Sequence, residues 1–211
     1  MLIGTGDVRT YLALPLEDKT ANTKIASVIN SIQGFAENYC NRPFEAKLYK
    51  TDPQYCYFDG TGHGFMFLPV YPVWYVNEVA LDGNRVFGSG TLTATNDIIL
   101  YEQAGKIVSD AGYFSKGKRN VRVEYYAGYG TGTHPTHDGQ GIVQFAVPYD
   151  LKQTIIEMVI KALNEGITGV HTVAGVEENK LVQMMNTNSV WRATLDIYKR
   201  WDVNASSGYY L

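Results

Sequence analysis

Four histidines are the first residues to test for chemistry, and His134-Pro135-Thr136-His137-Asp138 places three possible metal ligands within five positions. A helix carrying His at i and i+4 would hold such ligands in fixed geometry. Here Pro135 and the surrounding Gly and Thr residues put the group in a loop, where solvated side chains are the simpler reading. His63 and His171 sit in other Gly- or Thr-flanked segments with no nucleophile beside them. Gly128-Tyr129-Gly130-Thr131-Gly132 has the glycine density of a phosphate loop, but no Lys-Ser or Lys-Thr follows and no helix opens directly from it. Glu177-Glu178 has no carboxylate partner across a cleft, so an acid and base pair cannot be assigned. The two cysteines, Cys40 and Cys56, show no CxxC spacing and signal neither zinc nor a disulfide framework. The residues therefore predict no enzyme, no catalytic or cofactor-binding group and no metal. A metal hydrolase using His134, His137 and Asp138 is the reading to set against this.

Binding chemistry is carried by charge and by aromatic rings. Lys116, Lys118, Arg119 and Arg122 form the one local basic cluster, which could meet a passing duplex or an acidic partner, although a solvated hairpin turn accounts for it more simply. Across 211 residues, 18 Lys and Arg stand against 21 Asp and Glu, a formal charge of -3 that argues against a protein wrapping nucleic acid by neutralising phosphates. The chain has 16 Tyr, 8 Phe and 3 Trp. Such rings favour buried protein surfaces but are also common in strands. Trp74, Tyr75 and the tyrosines from Tyr49 to Tyr57 could stack on sugar rings; packing on a strand face explains them with fewer assumptions.

The elements that must position these residues follow from periodicity. A short helix is expected over Asp7 to Leu14, closed by Pro15, and a second from Thr20, with Ile25, Val28, Ile29, Ile32, Phe35, Ala36 and Tyr39 at helical steps, stopping before Asn41-Arg42-Pro43. Gly34 inside it costs about 1 kcal/mol against Ala, which predicts a close neighbour there. Residues 45–127 break into short β-rich runs: Ala46 to Thr51, Gln54 to Phe58, Phe65 to Leu68, Val73 to Leu81, Ile98 to Tyr101, Lys106 to Ser109 and Asn120 to Ala127. Asp59-Gly60, Asp82-Gly83-Asn84 and Lys116-Gly117-Lys118 read as turns. Residues 128–147 read as a loop. Pro148 then opens a helix with Leu151, Ile155, Met158, Val159, Ala162 and Leu163 on one face and Gly166 as its cap. Residues 167–188 show no period and read as a long link of the kind that reaches a neighbour. A last helix starts near Ser189, with Trp191, Leu195, Tyr198 and Trp201 at helical steps, before a flexible tail over 204–211.

The predicted fold is α+β: a small helical core from two N-terminal helices (residues 1–44) and two C-terminal ones (148–203), with a β-rich insertion over 45–127. The N-terminus shows no basic and apolar leader pattern, and no run approaches the roughly 18 apolar residues of a membrane span.

Three stretches together resemble the head-to-tail connector, or adaptor, family of tailed bacteriophages. The first is Asp7-Val8-Arg9-Thr10-Tyr11-Leu12 with a long helix closing on Tyr39-Cys40-Asn41-Arg42-Pro43-Phe44. The second is Leu68-Pro69-Val70-Tyr71-Pro72-Val73 through Val76, Val79 and Asp82-Gly83. The third is Val121-Arg122-Val123-Glu124-Tyr125-Tyr126-Ala127-Gly128-Tyr129, followed by Val147-Pro148-Tyr149-Asp150-Leu151-Lys152-Gln153. In order and spacing they span most of the chain.

The resemblance implies a structural virion protein, made in the host cytoplasm and residing in the neck. It implies self-assembly into a ring, usually a dodecamer, beneath the portal protein. Such a ring continues the channel for genomic DNA without reading its sequence and offers a platform to a downstream neck, stopper or tail protein. Portal docking by the C-terminal region carries over by position to Trp191, Tyr198, Trp201, Tyr209, Tyr210 and Leu211. The alternative of a different class is a Tyr-rich β module that binds a glycan or host surface at the virion periphery.

Overall fold

A computed structural model describes residues 2–15, 21–93, 97–110, 112, 114–130, 134–135, 142–143, 145–166 and 176–200. The chain is α+β and divides into two units: a helical one from residues 1–43 and 147–201, and a β-rich one within residues 44–146.

In the helical unit, α1 (Thr5–Tyr11) and α2 (Asn22–Cys40) pack with α4 (Tyr149–Asn164). In α2, Ile25, Val28, Ile29, Ile32 and Ala36 of the predicted stripe are buried, Phe35 and Tyr39 are only half-buried, and Cys40 joins the buried face. The helix ends where Asn41 takes a left-handed conformation (φ 53°), which Asn tolerates better than most residues. The Arg42 N–H then donates to the Glu37 carbonyl, and Pro43 prevents continuation. In α4, Leu151, Ile155, Met158, Val159 and Ala162 face the same core. Pro148 stands one residue before its expected place, with its carbonyl accepting the first helical bond from Lys152, and Gly166 (φ 70°) closes the far end. Helix α1 starts on Gly4, whose N–H donates to the Asp7 carboxylate at 2.8 Å, and Lys152 of α4 pairs with that carboxylate at 2.7 Å. Arg9 is buried and donates to the Pro15 carbonyl and to Asn22.

Two expectations for this unit are corrected. Part of the 167–188 link is helical, since α5 covers Val176–Thr187 and precedes α6 (Ser189–Tyr198), making three C-terminal helices. Leu181, Met184 and Met185 form too narrow an apolar stripe to announce a helix, but it is buried on packing with α6. At Gly34, an added Cβ would meet nothing within 4 Å, so no close approach explains the glycine.

The β unit centres on the eleven-residue strand β8 (Gly117–Ala127). It pairs antiparallel with β1 (Lys47–Tyr49), β2 (Tyr57–Gly60) and β4 (Val73–Leu81), and β5 (Leu92–Thr93) adds to β4. A second sheet of three strands has the order β3-β7-β6, from β3 (Phe65–Phe67), β7 (Lys106–Ser109) and β6 (Ile98–Tyr101). Met66, Ile98 and Ile107 of the small sheet share one core with Val73, Val76, Val79, Val121, Val123 and Tyr125 of the large one. The expected run Gln54 to Phe58 is split: Asp52 caps the Gln54 N–H and Pro53 starts a single helical turn, α3 (Pro53–Cys56), before β2 begins. Within the expected loop over 128–147, β9 (His134–Pro135) pairs with β10 (Ile142–Val143).

Asp82-Gly83-Asn84 is a turn held by the Asp82 carboxylate, which accepts from the N–H groups of Asn84, Val86 and Phe87. Asp59-Gly60 and Lys116-Gly117-Lys118 are not the expected turns: Asp59 and Gly60 lie in β2, Gly117 and Lys118 in β8, and Gly60 pairs with Gly117. At Gly60 a Cβ would lie 1.8 Å from the Ser115 carbonyl. Gly128 (φ 113°) packs so near Glu45 that a Cβ would come within 2.6 Å of its carbonyl oxygen.

Gly34→Ala should raise stability by about 0.5–1 kcal/mol, whereas Gly128→Ala should lower it by roughly 2 kcal/mol or more; urea unfolding of the two variants checks both signs. Burial pushes the Asp7 carboxyl up, but the hydrogen bond and charge of Lys152 and the Gly4 N–H outweigh it and hold the group below the usual carboxylate value. A lowered folded pKa adds stability above the unfolded value of about 3.9, lost as pH falls through the folded one. Asp7→Asn should therefore reduce stability at pH 7 and flatten the acid limb below about pH 4, read as melting temperature against pH.

Candidate functional surfaces

No group of three or more His, Cys, Asp or Glu side chains able to hold a metal occurs among the described residues. Of the loop ligands, the backbone of His134 lies in β9 opposite Val143, and His137 and Asp138 lie outside the described residues, as does His171. His63 stacks on Phe65 with ring centroids 5.7 Å apart. The Gly128 segment is tied into the β unit: its N–H donates to Pro72, and its carbonyl accepts from the Trp74 indole at 2.6 Å. Those backbone groups are therefore committed within the fold.

Both thiols are buried. Cys40 is buried at the end of α2, and burial pushes its pKa up to about 12; burial likewise pushes Cys56 up to about 11. Reactive cysteines need the opposite shift.

The basic cluster is dispersed by its own contacts. Arg122 pairs with Glu78 and lies over the Phe87 ring, and Arg119 lies over Tyr57. Lys118 is exposed at the start of β8. Of the supposed sugar platform, Trp74 and Tyr49 are buried, with Tyr49 stacked on Tyr125, whereas Tyr55, Tyr57 and Tyr75 are half-buried, so the rings do not form one exposed surface.

The carried-over docking residues separate sharply. Trp191 is buried and its indole donates to Glu157 of α4 at 2.9 Å, which fastens α6 in place. Tyr198 is half-buried and its hydroxyl donates to Asp150 at 2.6 Å. Trp201, Tyr209, Tyr210 and Leu211 lie outside the described residues. The α6 segment is further held by the Tyr39 hydroxyl donating to Asp196 at 2.6 Å and by the Arg200 N–H donating to the Cys40 carbonyl at 2.8 Å. Beside these bonds, Phe35 and Tyr39 of α2, Val182 and Met185 of α5 and Arg192 of α6 line an open, mostly apolar groove of about 330 Å³.

A second apolar surface lies in the β unit. Register puts Phe65, Val108 and Ile99 side by side, and Phe67, Lys106 and Tyr101 beside them, on the face of the three-stranded sheet opposite the core. Phe65 is 40% exposed, Ile99 47% and Tyr101 53%. The sequence carries a signal for this face. Phe65-Met66-Phe67 and Ile98-Ile99-Leu100-Tyr101 are apolar at successive positions, so both faces of each strand are apolar and the core covers only one.

No family model and no curated protein sequence matches the chain. Solved structures do. A chain in the neck of an empty GTA particle, computed with C6 symmetry, superposes with a TM-score of 0.58 at 15% identity, covering 96% of this chain and 91% of its own. A chain in the virion of the native gene transfer agent (GTA) particle gives 0.56 at 15% identity, with the same 96% and 91%. A chain in the native GTA neck, computed with C12 symmetry, gives 0.51 at 15% identity over 94% of this chain and 88% of that one. The helical core with a β-rich middle is thus a fold found in gene-transfer-agent particles.

With both thiols buried and shifted upward, reagents such as iodoacetamide should leave Cys40 and Cys56 unmodified in the native protein at pH 8 and modify both in denaturant. Mass spectrometry of the labelled chain reads the difference, and fast native labelling would contradict the packing at these sites.

Proposed function

We propose that this chain is a structural subunit of a phage-like virion neck, a head-to-tail adaptor that assembles as a ring beneath the portal and carries no catalytic activity. The observation that carries the reading is the fold shared over nearly the whole chain with chains of gene-transfer-agent necks. The three connector-like stretches support it. They fall on structural positions: the α2 terminus, the entry to β4, the strand β8 and the start of α4. Necks computed with C6 and C12 symmetry support a ring, with a dodecamer as the proposed state.

In this reading the chain works by assembly. Copies close a ring, the ring extends the DNA channel, and its distal side receives a stopper or tail protein. The docking segment is the C-terminal region after α6, including Trp201, Tyr209, Tyr210 and Leu211; Trp191 serves by holding α6 to α4. Each docking contact can be weak, because a ring presents many at once. The channel wall is poor in Arg and Lys, since every cation there would hold phosphate and release counterions. The net charge of -3 suits a surface along which DNA slides.

A glycan-binding module is the less favoured reading, because Trp74 and Tyr49 of the expected platform are buried. Native mass spectrometry of the purified chain mixed with its portal tests the proposal. A defined multimer on the portal is expected, and it should be lost when the chain is truncated after Asp202. A full-length chain that does not associate with the portal would overturn the adaptor role.

A further inference from the structure

We propose that the outward face of the three-stranded sheet, formed by Phe65, Phe67, Ile99, Tyr101, Lys106 and Val108, is the surface by which each copy of this chain grips the next copy in the ring. The inference rests on the ring reading above and specifies the face that makes the contact.

The face is organised before anything binds it. The Lys106 ammonium lies 4.8 Å from the Phe65 ring centroid and 5.4 Å from that of Tyr101, so a single cation bridges the first and third strands. Phe67 meets Phe65 edge to face at 6.0 Å, and His63 stacks on Phe65 with ring centroids 5.7 Å apart. Rings held in this way lose little conformational freedom on docking. The inner residues Met66, Ile98 and Ile107 are buried, so the sheet is anchored from behind and presents a fixed outer surface.

Its size and composition fit the centre of a protein interface. With aromatic side chains burying about 150–250 Å² each, the outward parts of these six residues amount to a few hundred Å². That is the scale of the largest functional patches on monomers and roughly half of the ~800 Å² a standard interface takes from each partner. The polar remainder would come from the rim.

Two observations and one symmetry argument favour a second copy as the occupant. The fold occurs in necks computed with C6 and C12 symmetry. A subunit of a cyclic ring meets the same neighbour on either side through two different patches, so one apolar face per chain is continuously covered without being self-complementary. Among the described residues no carboxylate lies within 4 Å of the Lys106 ammonium, so a partner carboxylate can complete its surroundings, and a chain of net charge -3 has carboxylates to supply. Nucleic acid fits less well: a lone lysine among uncharged side chains on an acidic protein neutralises little phosphate.

The test uses assembled necks containing the full-length chain with a photo-reactive phenylalanine analogue at Tyr101. Copy number by native mass spectrometry reports on the ring, and the cross-linked peptide reports on the face. The expected product joins Tyr101 to a peptide of the same chain from an adjacent copy. Cross-links to another protein or to nucleic acid, or none in a neck that holds the ring, would overturn the assignment of this face while leaving the ring standing. A neck with one copy would remove both. As a second readout, Ile99→Asp with Tyr101→Asp should raise the concentration for half-assembly by about tenfold or more with an unchanged melting temperature. Assembly equal to the parent chain would overturn the proposal, and a lowered melting temperature would leave the decision to the cross-link at Tyr101.

Discussion

Strand β8 has to satisfy three partners along eleven residues, and most of the β unit follows from that constraint. Its C-terminal half is paired on one edge by β1 and on the other by β4, and its N-terminal half by β2 and β4. A strand in the middle of a sheet cannot slip by one residue without turning every side chain to the wrong face. Val121, Val123, Tyr125 and Ala127 therefore fix the register of the neighbouring strands. Asn120 ties the entrance, accepting from the Gly60 N–H and donating to the Ser115 carbonyl. Gly128 ends the strand where Glu45 passes too closely for any side chain. Behind this scaffold the small sheet has only to offer Met66, Ile98 and Ile107 inward, which leaves its other face for a different role.

The helical unit uses a different logic. Hydrophobic stripes bring α2 and α4 together, and a few polar bonds then set which ends meet. Lys152 holds the start of α1, Glu157 takes the Trp191 indole, and Asp196 takes the Tyr39 hydroxyl. These bonds join helices far apart in sequence. They place α6, and with it the point at which the C-terminal segment departs, beside the end of α2.

Much of this was legible from residue order. Ile98–Tyr101 and Lys106–Ser109 stand at the strand bounds read from composition, and the close of α2 at Asn41-Arg42-Pro43 follows from local chemistry. What escaped had physical causes. Helix α5 is held by packing on α6 more than by its own pattern, and α3 is nucleated by Asp52-Pro53 in an otherwise strand-like run. Periodicity marks Trp191 as part of an apolar face, but whether that face meets its own core or a partner depends on what folds against it. Conversely, the exposed rings of the small sheet belong to strands whose composition signals burial on both sides. The sequence thus shows how much apolar surface exists and leaves open which part the chain itself can cover.

Because the helical unit is assembled from residues 1–43 and 147–201, its two halves leave the ribosome separated by the entire β unit. At about 5–20 residues per second, the buried stripe of α2 would wait roughly 5–20 seconds for α4 to emerge. During that interval the β unit, whose strands are complete at residue 143, can already pair within itself. Ile25, Val28, Ile29 and Ile32 meanwhile have only α1 to lean on. Over that interval the nascent chain is most exposed to chaperones and to mis-association at the α2 stripe, and the helical unit closes only once α4 and α6 have followed the β unit.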